Sequence, residues 1–101
     1  MARVCLISCV KKKARTPQQA ATLYSSPLFH KMKCYAESVS DLWFILSAEH
    51  GLLRPTDIVA PYERTLKSMS LPERRQWAAR VYSDLSKFLS PGDDVVVLAG
   101  R

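Results

Sequence analysis

The stretch LWFILSAEHGLL, residues 42–53, changes character at its sixth residue. Leu42 to Leu46 is continuously apolar, rich in branched and aromatic side chains, and too short for a helix, which predicts a strand covered on both faces. Ser47, Glu49 and His50 follow at once, and Gly51 closes the group. The segment SAEHGLL is therefore expected to be a loop beyond the strand's carboxyl end, either an ordinary turn or the rim of a site.

Two further segments read like the first half of that stretch. Val4 to Ser8 (VCLIS) is a second short apolar run and Asp94 to Leu98 (DVVVL) a third. Between them lie helix signals. Ser26 precedes Pro27, and Leu28, Met32, Tyr35, Ala36 and Val39 then recur on one helical face. Thr16 followed by Pro17 suggests an earlier start, so residues 16–40 are expected to be helical in two pieces broken before Pro27. Ser70 and Glu73 form a capping-box pattern that opens an amphipathic helix carrying Trp77, Ala78, Val81, Leu85, Phe88 and Leu89, ended by Pro91-Gly92. The segment around Pro55, Pro61 and Tyr62 has no period. The order strand, helix, strand, helix, strand predicts a single α/β domain over residues 1–101: a three-layer sandwich with a small, mostly parallel sheet and right-handed crossovers.

Composition narrows the class. Of 101 residues, 48% are hydrophobic and 24% charged, the balance of a folded chain and not of a disordered tail. The apolar runs are too short to span a bilayer, and residues 1–10 do not resemble a signal peptide, so a cytoplasmic protein without membrane contact is expected. Cys5, Cys9 and Cys34 make an odd set with no C-x-x-C pair, which argues against a disulfide framework or a structural zinc. Cys5 is expected in the core. No metal or cofactor motif is found: the phosphate-binding patterns G-x-x-x-x-G-K-[ST] and G-x-G-x-x-G are both missing from the sequence.

Charge is divided unevenly. Residues 1–40 carry Arg3, Lys11, Lys12, Lys13, Arg15, Lys31 and Lys33 against Glu37 alone, while acids and bases cancel in residues 41–101, so the whole net charge of +6 lies in the first part of the chain. A localised positive region favours an anionic partner such as nucleic acid or a nucleotide phosphate, although a solvated basic face would read the same way.

In a parallel sheet the loops after the strands gather on one edge, where ligands bind. That edge is expected to hold Ser8, Cys9, Lys11, Lys12 and Lys13 after the first strand, Ser47, Glu49, His50 and Gly51 after the second, and Gly100 and Arg101 after the third. His50 can act as general acid or base or hydrogen-bond a ligand, or it is an ordinary loop histidine. Cys9 beside the lysines can be a nucleophile, but no motif places a base next to it. Glu49 and Asp57 are a candidate carboxylate pair. Tyr24 and Tyr62 can stack on a base or simply pack.

Taken in order, the motifs SCVKKK, LYSSPLF, SAEHGLLRP, APYERTL and VVVLAGR resemble a bacterial and phage family known as domain of unknown function 6884. That family is similar to the YaaA-like proteins, to part of the archaeal transglycosylase-related proteins of deazaguanine modification, and more distantly to the uracil-DNA glycosylase type of α/β fold. The resemblance implies a nucleobase or nucleic-acid site at the strand ends. Its motif positions here are Ser8, Cys9, Lys11, Lys12, Tyr24, Ser47, His50, Gly51, Leu52, Pro61, Tyr62 and Gly100, with no catalytic assignment attached. Members continue past LAGR with a further helix and often a strand, so the domain is expected to be short at its C-terminus.

Two functional classes follow. In the first, the domain cleaves or exchanges an N-glycosidic bond, with His50 protonating or orienting the leaving base, Ser47 and Glu49 positioning base or water, and the lysines holding phosphate. In the second it binds nucleic acid or a nucleotide without chemistry, or serves as a protein-interaction module. An exposed last strand could then pair with a second copy.

Overall fold

Strand β1 (Arg3–Ser8) lies inside a four-stranded sheet, paired in parallel with β3 (Leu42–Ser47) on one side and β6 (Asp94–Leu98) on the other. The structure is a computed structural model and describes residues 2–9, 13–64 and 66–98. The fourth strand, β4 (Gly51–Leu53), runs antiparallel to β3, giving the order β4-β3-β1-β6. Three helices complete the mixed α/β fold: α1 (Ala20–Leu23), α2 (Pro27–Val39) and α3 (Leu71–Ser86). Among the described residues no helix is long and apolar enough to cross a membrane.

The alternation of side chains along β1 explains why its run is almost continuously apolar. Cys5 and Ile7 join Ile45 in one buried cluster with Phe29, Met32 and Ala36 of α2. Val4 and Leu6 join Phe44 in a second cluster with Leu85 of α3 and the partly buried Leu89. Successive strand residues point to opposite faces, so each face needs its own apolar set. Both long helices begin as their sequences predict. The Ser26 side chain accepts the amide of Phe29 at 3.0 Å with Pro27 in the first turn, and Ser70 and Glu73 form a reciprocal capping box.

Four expectations are corrected. Residues 51–53 form a strand and not a loop: a turn over residues 48–50 and a positive backbone angle at Gly51 (φ 76°) fold the chain back on β3, pairing Ser47 with Gly51 and Ile45 with Leu53. Three residues are too few to show a period of two. Gln18–Gln19 (β2) is extended and pairs antiparallel with Ile58–Val59 (β5), so Thr16 opens no helix and the segment after Pro55 is not wholly irregular. The amides of Ala20 and Ala21 are taken by the carbonyls of Asp57 (2.8 Å) and Pro55 (3.0 Å), distant partners that no local pattern reveals. Finally, α3 ends at Ser86 although the apolar pattern runs on, because Phe88 and Leu89 still pack: the Phe88 ring lies 4.9 Å from that of Phe44.

Candidate functional site

Because β1 and β3 are parallel neighbours, their carboxyl ends deliver Ser8 and Cys9 next to Ser47, and the Cys9 amide extends the ladder to the Leu46 carbonyl at 3.0 Å. Tyr24 arrives from the end of α1, where its backbone bridges Lys13, and Tyr62 from the segment after β5. The structure thus assembles Ser8, Cys9, Lys13, Tyr24, Ser47, Glu49, His50, Gly51 and Tyr62 along one edge. Lys11, Lys12, Gly100 and Arg101 lie outside the described residues.

A chain of hydrogen bonds organises this edge. The fully buried Ser47 hydroxyl accepts the backbone N–H of His50 at 3.0 Å and donates to the Tyr62 hydroxyl at 2.8 Å. The Tyr62 and Tyr24 hydroxyls share a further bond of 2.5 Å. One serine therefore fixes the His50 turn and the tilt of Tyr62 together. The Lys13 ammonium sits 4.3 Å from the centre of the Tyr62 ring, within the range of a cation–π contact. The His50 ring meets Tyr62 edge to face, with centroids 5.5 Å apart and an angle of 86°. Tyr24 is only 4% exposed, so it braces Tyr62 and has no open face for a base to stack on.

Two contributions come from α3, where the sequence pattern gives Trp77 a packing role and no motif singles out Arg80. Trp77 Nε1 donates to the Ser47 carbonyl at 2.7 Å, and Arg80 donates to the Glu49 carbonyl at 3.3 Å. Arg80 also covers Gly51, where an added Cβ would come within 3.0 Å of its Nε. Only the spacing of Trp77, Arg80 and Val81 on one helical face could have suggested this. The Glu49 side chain is exposed. Asp57, the other carboxylate of the candidate pair, is engaged by Arg54: its oxygens accept the Arg54 amide at 2.8 Å and lie 3.1 Å from the Arg54 guanidinium, closing a local turn. Among the described residues no three His, Cys, Asp or Glu side chains gather where they could share a metal ion.

Burial shifts the titration of the cluster. It raises the Tyr62 and Tyr24 hydroxyls above the ordinary tyrosine value, with only partial relief from the Ser47 hydrogen bond, and it lowers the Lys13 ammonium against the opposing pull of Cys9 and Glu63. A raised tyrosine pKa means the folded protein keeps protons that the unfolded chain releases. The stability this represents is whole below about pH 10 and drains away as pH climbs through the folded values. Urea unfolding followed between about pH 8 and pH 11 should show stability falling above about pH 10, with a shallower fall for Tyr62→Phe. An identical slope in the variant would contradict the burial of that hydroxyl.

Residues 4–101 match a family model described as a family of unknown function (DUF6884). An uncharacterized protein, YfjM, of Bacillus subtilis (strain 168) is 34% identical over 114 residues, an alignment covering the whole of this chain and 71% of the relative. No solved structure matches the chain.

Proposed function

Since the chain belongs to the family of unknown function DUF6884, we propose a function from the site itself: the domain is a three-layer α/β module that binds nucleic acid or a nucleotide at the carboxyl ends of its parallel strands. The observation that carries this reading is Lys13, a partly desolvated cation held against the Tyr62 ring at the edge where such sheets bind ligands. A phosphate on Lys13 would lie against an aromatic wall, with the exposed His50 ring beside it. The basic bias of residues 1–40 supports the same sign of partner.

Chemistry at an N-glycosidic bond is the extension of this reading. His50 would protonate or orient the departing base, and Ser47, being buried, would act as a positioning residue through Tyr62 and the His50 backbone. The resemblance to YaaA-like and glycosylase-type proteins that the sequence motifs suggest is an expectation in keeping with this extension. A second reading, a protein-interaction module, is favoured by the sheet edge at β6, where Val95 and Val97 are 42% and 58% exposed.

The test is binding of single-stranded DNA, duplex DNA and RNA at low and high salt, by the protein and by Lys13→Ala alone or joined with Lys11→Ala and Lys12→Ala. Salt-sensitive binding is expected. Losing one phosphate contact should lower the log–log salt slope by about 0.7 for a single strand. Binding unchanged by Lys13→Ala would overturn the strand-end site. No binding to any polymer or nucleotide would turn attention to light scattering and the β6 edge. Under the enzymatic extension, His50→Ala should abolish release of free base while leaving binding in place.

A further inference from the structure

A cleft of about 430 Å³ opens where α1 gives way to α2, lined by Thr22, Tyr24, Ser25, Ser26, His30 and Lys33 among others. None of these belongs to the strand-end cluster except Tyr24, whose hydroxyl ends that network while its ring borders the cleft.

Beside the apolar Ala21, Pro27 and Phe29, the lining holds several donors and no carboxylate. The Thr22 hydroxyl is spent on the Gln19 carbonyl at 3.0 Å. Ser26 receives the Phe29 amide on its oxygen, which leaves its own proton to give. Ser25 makes no side-chain hydrogen bond among the described residues and is exposed. The Lys33 ammonium, half-buried, reaches the Ala21 carbonyl at the long distance of 3.5 Å, and none of the ion pairs found among the described residues involves it. One ring nitrogen of His30 faces the Cys34 sulfur at 3.6 Å, and the other remains. The start of α2 adds potential of the same sign. A concave wall that offers the Ser25 and Ser26 hydroxyls and the Lys33 cation, with no carboxylate, suits an anion, above all a phosphate oxygen.

We propose that this cleft is a second phosphate subsite, and that with Lys13, whose ammonium lies 5.7 Å from the centre of the Tyr24 ring that borders the cleft, it binds two phosphates of one single-stranded nucleic acid. The inference rests on the strand-end reading and adds the substrate's form. A flexible single strand can bend into a cleft to reach both cations, whereas a stiff duplex presents its phosphates on a convex surface.

The experiment is fluorescence anisotropy with labelled thymidine oligonucleotides of increasing length, on the intact chain and on Lys33→Ala, Lys33→Arg, Lys13→Ala and, as a surface control, Lys87→Ala. Affinity should step up once the oligonucleotide is long enough to occupy both positions. Lys33→Ala should remove that step, a loss of roughly 5–10-fold with the salt slope smaller by about 0.7, and leave the mononucleotide unaffected. Lys33→Arg should restore most of the step, and Lys87→Ala should change nothing. Lys13→Ala should weaken every length. If Lys33→Ala matches the parent at every length while Lys13→Ala is weak, the cleft is not a subsite and the strand-end site stands. If neither variant changes binding, both readings fall. Tighter binding of duplex than of single strand would also overturn the proposal.

Discussion

Phe29→Ala is expected to cost about 3–5 kcal/mol of folding stability, the range for truncating a buried aromatic residue. The ring is 1% exposed and shares a cluster with Cys5, Ile7 and Ile45 of the sheet and with Leu23 and Met32 of the helices. A domain of this size has roughly 5–15 kcal/mol in all, so the loss is a large fraction of the total. At about 4–8 °C per kcal/mol, the midpoint should drop by upward of about 12 °C. The substitution leaves the helix cap intact, because Ser26 bonds the backbone amide of residue 29 and not its side chain. The measured loss therefore reports packing. It also reaches the candidate site, because the Tyr24 ring rests 5.0 Å from Phe29 and braces Tyr62 in turn. Leu28→Ala, at a neighbouring position 44% exposed, should cost well under half as much. Urea denaturation of the two variants checks the contrast, and comparable losses would mean that α2 does not bury the face described.

How much of this was legible beforehand depends on how local each cause is. The apolar runs Val4 to Ser8, Leu42 to Leu46 and Asp94 to Leu98 are strands within a residue of the bounds their patterns predict; β1 and β3 write their burial on both faces into successive positions, whereas β6, with Val95 and Val97 exposed, is legible from its branched residues. The caps at Ser26 and Ser70 were legible because capping is a bond between residues three apart. By contrast, β2 and β5 are two residues each, paired across some forty positions, and neither carries a pattern of its own. The site divides in the same way. Convergence of Ser8, Cys9, Ser47 and His50 follows from parallel strands, but the part played by Tyr62 follows from the path of an irregular segment, and that of Trp77 from the docking of a helix. The sequence predicts Ser47 as a group that positions base or water at the strand end. Its complete burial follows from the antiparallel return of β4, which the sequence did not announce.

Ser47→Ala and Tyr62→Phe together decide whether the strand-end cluster is one cooperative unit. Ser47→Ala should destabilise by about 1–3 kcal/mol, because the partly buried His50 amide loses its acceptor and Tyr62 loses a donor. Tyr62→Phe removes two hydroxyl contacts at once, one to Ser47 and one to the buried Tyr24. Its cost should fall in the same range of about 1–3 kcal/mol. In the double variant neither bond remains to be broken by the other change, so its loss should be smaller than the two single losses added, by at least about 0.5 kcal/mol. Strict additivity would mean that the Ser47–Tyr62 bond carries no net energy. Ligand binding separates a structural role from a recognition role at the same residue. The phenylalanine keeps the ring that carries Lys13 and meets His50, so Tyr62→Phe should lower nucleotide affinity little, whereas Tyr62→Leu, which deletes the aromatic wall, should lower it severalfold at comparable stability. If the two substitutions reduce affinity equally, the hydroxyl and not the ring is what the ligand depends on, and the cation–π wall is no part of the site.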